Sequence, residues 1–257
     1  MDVEDWKGPF SRVHLLLGAD AVEKFACARV AVFGLGGVGG WCAEALARSG
    51  VGGMLLVDDD RVAPSNLNRQ MPALVSTLGR FKADVAAERL HDVNHAAKLD
   101  VRTVRYTPEN SSTFDLSGFD CVVDAIDSVL CKAHLIRSAE AAGVPVFSSM
   151  GAASRIDPSR IRATPFKKVE GDGLARALRR RFKEEGWPVR DFMCVWSNEP
   201  SANLGERMDG DGRANGSLMP VTASFGLRLA SLVLDFIRGG GARLSRGDGM
   251  EGGHGQA

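Results

Sequence analysis

Two groups of residues in this 257-residue chain have the types and spacing to handle a nucleotide. The first is Gly34-Leu35-Gly36-Gly37-Val38-Gly39, which follows a short apolar run, Arg29 to Phe33, and opens a helical stretch. Asp58 stands about twenty residues further on, at the end of a second apolar run. Glycine at 34, 36, 37 and 39 lets backbone N–H groups approach phosphate at a helix N-terminus, where the dipole favours an anion. An acid at Asp58 accepts hydrogen bonds from ribose hydroxyls. The loop alone fits a NAD-dependent oxidoreductase at least as well as an enzyme that consumes ATP. The second group separates them. Asp58-Asp59-Asp60 precedes Ser65-Asn66-Leu67-Asn68-Arg69-Gln70, with Lys82 on the next helix. Hydride transfer needs no cations at that place. An adenylating site does, because charge on the β- and γ-phosphates must be neutralised while the α-phosphate is attacked. A lone Lys82 would read as a solvated helix residue; beside Asn66 and Arg69 it reads as a phosphate ligand.

A third group, Asp124-Ala125-Ile126-Asp127-Ser128, ends another apolar run. Ligands of a parallel sheet sit beyond the carboxyl ends of its strands, so Asp127 is expected to face the same crevice as the glycine loop. A carboxylate there can hold Mg²⁺ that bridges phosphate oxygens. Ser128 is the better N-cap for the helix that follows, which leaves Asp127 free.

The elements that position these groups alternate. Residues 11 to 28 read as an amphipathic helical lead-in. Strands are expected at Arg29–Phe33, Met54–Val57, Asp100–Arg105, Cys121–Asp124 and Val144–Phe147, with helices at Gly37–Arg48, Gly79–Val93 and Ser128–Ala142. This pattern predicts an α/β protein with a Rossmann-like, doubly wound and mainly parallel sheet. Beyond Gly151 the chain changes character. A strand at Ile161–Thr164, a basic helix at Gly173–Glu185, a strand at Asp191–Trp196 and a closing helix from Val221 form a C-terminal extension. The expected division is a lead-in at 1–28, a nucleotide-binding part at 29–150, a substrate-binding part at 151–238 that includes a mobile loop at 198–217, and a disordered Gly-rich tail at 239–257.

Bulk properties narrow the class. Thirty-two basic and 32 acidic residues balance to zero, so any nucleic-acid contact must come from a local patch. Arg176, Arg179, Arg180, Arg181 and Lys183, with Lys167 and Lys168 upstream, make one. On the residues alone it reads equally as an RNA-backbone surface or as a solvated face balanced by Glu184 and Glu185. The five cysteines form no C-x-x-C pair, which argues against a zinc site and against a disulfide framework. The polar N-terminus is not a signal peptide, and the apolar stretch Val221–Ile237 carries Arg228 and Asp235 and reads as core. A cytoplasmic location without a membrane span is the expectation.

The glycine loop, Asp58, Ser65-Asn-Leu-Asn-Arg-Gln70, Lys82 and Asp124-x-x-Asp127 together resemble the E1-like (ThiF/MoeB) ATP-dependent adenylating enzymes over roughly residues 11 to 150. The resemblance implies Asp58 on the ATP ribose, Asp60 among the ATP-binding residues, Asn66, Arg69 and Lys82 on the phosphates, and Asp127 as the Mg²⁺-linked acid. It also implies a homodimer in which Arg12 enters the partner's site as an arginine finger. Gly151-Ala-Ala-Ser-Arg-Ile-Asp-Pro158, the basic helix, Cys194-Val-Trp-Ser197 and Val221-Thr-Ala-Ser-Phe-Gly226 narrow the likeness. The chain is similar, from about Ser11 to Ile237, to the tRNA threonylcarbamoyladenosine dehydratase family. That likeness implies ATP-dependent cyclisation of N6-threonylcarbamoyladenosine (t6A) at tRNA position 37, and it tips Arg176, Arg179, Arg180 and Lys183 towards tRNA. It leaves open a structural monovalent cation, docking of a cysteine-desulfurase sulfur-acceptor protein and a chemical role for Cys194, which by itself reads as a semi-buried strand cysteine. The alternative within the superfamily is an adenylyltransferase for a ubiquitin-like sulfur carrier. The absent zinc cysteines and the basic helix count against it.

Overall fold

The computed structural model describes residues 8–200, 203 and 215–240. The expectations for the acidic N-terminus (1–7), for most of the 198–217 loop and for the tail beyond 240 lie outside the described residues.

Seven strands form one sheet: β1 (Arg29–Phe33), β2 (Gly53–Val57), β3 (Lys98–Arg102), β4 (Cys121–Asp124), β5 (Val146–Ser149), β6 (Ile161–Pro165) and β7 (Met193–Ser197), in the order β3-β2-β1-β4-β5-β7-β6. All neighbours are parallel except β6, which runs antiparallel to β7 at the outer edge. The central strands are continuous apolar runs because helices cover both faces. On one face pack α3 (Gly39–Arg48), α4 (Lys82–Val93) and α7 (Met219–Asp235); on the other, α5 (Val129–Ala141) and α6 (Gly173–Glu185). The boundary expected at residue 150 therefore falls inside a single sheet, between β5 and β6.

Local chemistry moved several element boundaries. The lead-in splits into α1 (Ser11–Leu17) and α2 (Ala19–Cys27) at Gly18, whose φ of 85° no helix accepts. The helix expected from Gly79 starts at Lys82, because Phe81 is held extended in a bridge to Arg61. The strand expected at Val144–Phe147 lies at Val146–Ser149, since Pro145 has no N–H to contribute to a ladder. The strand expected at Asp100–Arg105 lies at Lys98–Arg102, where Lys98 registers against Gly53. Pro220, in the first turn of α7, starts the closing helix two residues before Val221. That helix and the turn after it (Met219–Gly239) are long and apolar enough to cross a membrane by length and composition. Val221, Phe225, Leu229 and Val233 are instead buried against the sheet and α3, as expected of a core helix.

Candidate active site

Sheet order creates the site. The chain leaves β1 for α3 on one side and returns through β4 to α5 on the other, which opens a crevice at the carboxyl ends of the strands. A cavity of about 740 Å³ lies there, within the range of small-molecule sites. Gly34, Gly36, Gly37, Asp58, Asp60, Arg69 and Asp127 all line it.

The glycines have steric reasons. Gly34 has a φ of 88°, and a Cβ there would stand 2.7 Å from the Ala125 carbonyl oxygen. A Cβ on Gly39, the first residue of α3, would stand 1.8 Å from the Gly34 carbonyl oxygen. The loop must fold back tightly on itself and on the 125–127 turn, and so brings the α3 N-terminus to the cavity. Asp58 closes the β2 side. Its Oδ2 accepts from the Leu35 N–H (2.6 Å) and its Oδ1 from the Asp60 N–H (2.9 Å), so the acid also fixes the loop. Burial pushes the Asp58 pKa up, against the opposing effect of those N–H groups and of the Lys82 charge.

Lys82 and Asn66 do not line the cavity. The Lys82 Nζ pairs at 2.7 Å with Asp60, whose side chain does line it. Asn66 is buried, and its Oδ1 caps its own turn by accepting from the Ala63 N–H (3.1 Å). Arg69 lines the cavity while donating to the Ser65 carbonyl (2.8 Å) and to Asn68 Oδ1 (2.9 Å). Its partial burial lowers its pKa, though a guanidinium stays charged at neutral pH. Trp41 on α3 donates to the Arg69 carbonyl (2.9 Å) and ties this segment to the phosphate loop.

The β4 side is built differently. Lys132 on α5 is fully buried and donates to Asp124 Oδ2 (2.7 Å), Ser148 Oγ (3.3 Å) and the Ser149 carbonyl (3.0 Å). Asp124 Oδ1 accepts from the Ile126 N–H (3.2 Å), which holds the turn that backs Gly34 and ends in Asp127. Ser128 caps α5 by accepting from the Cys131 N–H (3.5 Å), as expected. Asp127 is exposed to the cavity, and among the described residues it has no hydrogen bond or ion pair. The carboxylate oxygens of Asp58, Asp59 and Asp60 lie within 4.8 Å of one another, but Asp58 is committed to backbone and Asp60 to Lys82.

Three sequence candidates lie elsewhere. Arg12 is exposed on α1, outside the cavity, beside Leu15 and Leu16, which are 76% and 80% exposed. On α6, Arg176, Arg180 and Lys183 share one exposed face, whereas Arg179 is anchored inward: it donates to the Phe166 and Val169 carbonyls and lies 5.1 Å over the Phe166 ring. Cys194 is fully buried in β7, away from the cavity; burial pushes its thiol pKa well up, so it is no ready nucleophile.

The cavity also holds residues to which the sequence reading gave no individual role, several of them inside its motifs. Gln70, in the same run as Arg69, is buried, and its Oε1 has no partner among the described residues. Thr222 on α7 and Tyr106 line other walls. The segment Gly151–Arg155 and the N-cap of α6, Asp172, complete the far end. An Asp immediately before an apolar-periodic stretch is an N-cap signal, so Asp172 was legible as a cap but not as a wall of the site.

Comparison with known proteins gives a consistent result. The ThiF family profile matches residues 10–247. The chain is 41% identical over 177 residues to a Bacillus subtilis tRNA threonylcarbamoyladenosine dehydratase, covering 69% of this chain and 70% of the relative. It is 32% identical over 246 residues to the Haemophilus influenzae protein of the same name, covering 91% and 94%. The crystal structure of the Escherichia coli tRNA N6-threonylcarbamoyladenosine dehydratase in complex with ATP superposes with a TM-score of 0.85 at 35% identity, over 95% of this chain and 100% of that one.

Proposed function

The chain belongs to the ThiF family, within its tRNA threonylcarbamoyladenosine dehydratases, and we propose from this premise that it uses ATP to cyclise t6A at position 37 of tRNA. The observation that carries the reading is one cavity lined at one end by the phosphate loop, Asp58, Arg69 and Asp127, and at the other by Gly151–Arg155 and the start of the basic helix.

The chemistry follows from the electrophile. A carboxylate resists attack because its carbonyl carbon is electron-rich and oxide is a poor leaving group. When a carboxylate oxygen attacks the α-phosphorus, the bond to the bridging oxygen breaks and pyrophosphate leaves. The resulting acyl-adenylate has AMP as its leaving group. A nitrogen of the threonylcarbamoyl group then closes on the acyl carbon, AMP departs and a proton is released; the nucleoside is lighter by one water. Ring closure within one substituent benefits from proximity and needs no enzyme nucleophile. Asp58 holds the ribose, the α3 N-terminus and the Gly36 and Gly37 N–H groups hold phosphate, and Arg69 offsets charge on the leaving pyrophosphate. Lys82 acts on the same charge when Asp60 releases it. Mg²⁺ bound with ATP fits the unpartnered Asp127 carboxylate and would supply further neutralisation of phosphate charge.

The exposed apolar face of α1 suits a second copy of the chain, which would bring Arg12 to the partner's cavity. Sedimentation at the mass of one chain would remove that part of the reading. A tRNA substrate and five unpaired cysteines suit the cytoplasm. The main test is mass spectrometry of nucleosides from tRNA incubated with the protein and ATP. Conversion of t6A to a species lighter by one water is expected; unconverted t6A would refute the reading. Adenylation of a carrier protein instead would favour the sulfur-carrier alternative.

A further inference from the structure

The far end of the cavity contains an unsatisfied cation. Arg155 lies in the segment that leaves β5, lines the cavity and is only 5% exposed. Among the described residues its one ion pair is a long contact, 3.5 Å from Nη2 to Asp172 Oδ2. Asp172 is already engaged: Oδ2 accepts from the Gly151 N–H (3.2 Å) and Oδ1 from the Ala175 N–H (2.8 Å) as the α6 cap. The Arg155 Nε and Nη1 are buried and have no hydrogen-bond partner among the described residues. A buried charged donor without an acceptor is expensive to keep. The segment is also held in place. Ser154 has a left-handed backbone, φ 58°, and its N–H donates to the Gly216 carbonyl (2.7 Å).

Placement indicates the missing acceptor. Across the sheet the order is β2, β1, β4, β5, carrying in turn Asp58, the phosphate loop, Asp127 and Arg155. Two strand spacings, about 10 Å, separate the β1 and β5 ends. A nucleotide with its ribose at Asp58 and its phosphates on the loop fills the β2–β1–β4 end. Arg69, Asp60 and Lys82 serve that end too. Arg155 stands on the opposite flank, beside the start of the basic helix, where an acyl substrate must enter to meet the α-phosphate.

We propose that Arg155 is a substrate-binding residue that receives the free carboxylate of the t6A side chain, with Asp172 as its positioning residue. A charge-assisted bond to one carboxylate oxygen leaves the other oxygen free to attack the α-phosphorus. Arg155 thus selects t6A over unmodified adenosine at the same position. This rests on the functional reading above.

The test uses the full chain and anticodon stem-loop RNAs carrying t6A, the t6A methyl ester or unmodified adenosine, with binding followed by fluorescence anisotropy. Arg155→Gln should weaken the t6A stem-loop by about ten- to hundredfold, the range for a lost bond to a charged group. It should leave the methyl ester, the unmodified stem-loop and ATP affinity unchanged, and Arg155→Lys should recover part of the loss. Arg155→Gln combined with Asp172→Asn avoids an unpaired buried carboxylate, keeps a capping side chain, and should reproduce the selective loss if the single variant does not fold. Weakened ATP affinity with unchanged t6A preference would assign Arg155 to the phosphates and overturn the proposal. Equal loss for all three RNAs would make it a general RNA contact and also overturn it. Failure of the wild-type chain to convert t6A would instead refute the function itself, and this proposal with it.

Discussion

Two Lys–Asp pairs flank the crevice at the same N–O distance, 2.7 Å, with both lysines buried, and they differ in the exposure of the acid. Lys132 and Asp124 are both fully buried, and Ser148 and the Ser149 carbonyl complete the shell around the ammonium. In the other pair Lys82 is 5% exposed but Asp60 is 65% exposed. The first pair is sealed, and it reaches the cavity only indirectly, through the 125–127 turn and the end of β5 that it holds. The second is open on its acidic side, so an entering phosphate can compete with Asp60 for the ammonium. Equal distance therefore does not mean equal role. What distinguishes a clamp from a poised ligand is whether solvent or substrate can reach one partner.

The widest separation of the two pairs should appear in stability. Lys132→Met strands a buried carboxylate and should destabilise the fold by about 3–5 kcal/mol, read from denaturant midpoints. A smaller change than that of Lys82→Ala would break the distinction. Lys82→Ala should instead keep a cooperative fold and lose roughly 100- to 1000-fold in turnover, the effect of deleting one preorganised charge-stabilising donor. Retained turnover would remove it from phosphate chemistry.

Asp58 sharpens the open side further. Its pKa is raised by burial, so folding favours its protonated form. Its contribution to stability therefore declines as pH rises from the unfolded value through the folded value, and stays at the reduced level above. ATP affinity should follow the opposite sense. On acidification it should start to weaken at a pH above the ordinary aspartate range, and calorimetric titration against pH should show this in the wild type and not in Asp58→Asn.

The same contrast recurs on α6, where Arg180 and Lys183 are open and Arg179 is held by carbonyls. Arg180→Glu with Lys183→Glu should reduce the salt-dependence slope of tRNA binding by about 1.5–2, two phosphate contacts' worth. Arg179→Ala should cost about 1–3 kcal/mol of stability through its lost bonds and leave that slope nearly intact. The smallest effect is expected behind the sealed pair. Cys194 registers against Ser148 with its thiol buried, and Cys194→Ser should keep most of the cyclisation activity. Complete loss with ATP binding preserved would point to a covalent step.

Much of this was legible along the chain because the relevant constraints are local. Gly34 and Gly39 must be glycine where a backbone folds back within a few residues, and Asp58 follows at the distance one strand–helix–strand unit imposes. Ser128 read correctly as a cap for the same reason, and the basic helix was placed at its observed bounds. The roles of single cations were not legible. Arg179, Arg180 and Lys183 are indistinguishable in sequence; only packing under Phe166 turned the first inward. Lys82 was singled out by its company, but its partner Asp60 and its place behind the cavity wall depend on α4 starting after an extended Phe81. Arg155 was visible only as a member of the 151–158 motif and Asp172 only as a cap; that they pair was hidden. They are 17 residues apart and meet only because β5 and the start of α6 end at the same rim of the sheet.

By itself, then, the sequence determined the α/β class, the tight glycine loop with the acid at Asp58 beside it, and the likeness to ATP-dependent enzymes, since each rests on spacing within one or two elements. Tertiary structure alone decided which charges are sealed, which are open and which buried cation lacks an acceptor among the described residues. The physical reason is that burial and pairing depend on what the rest of the fold places around a residue, and no local pattern records that.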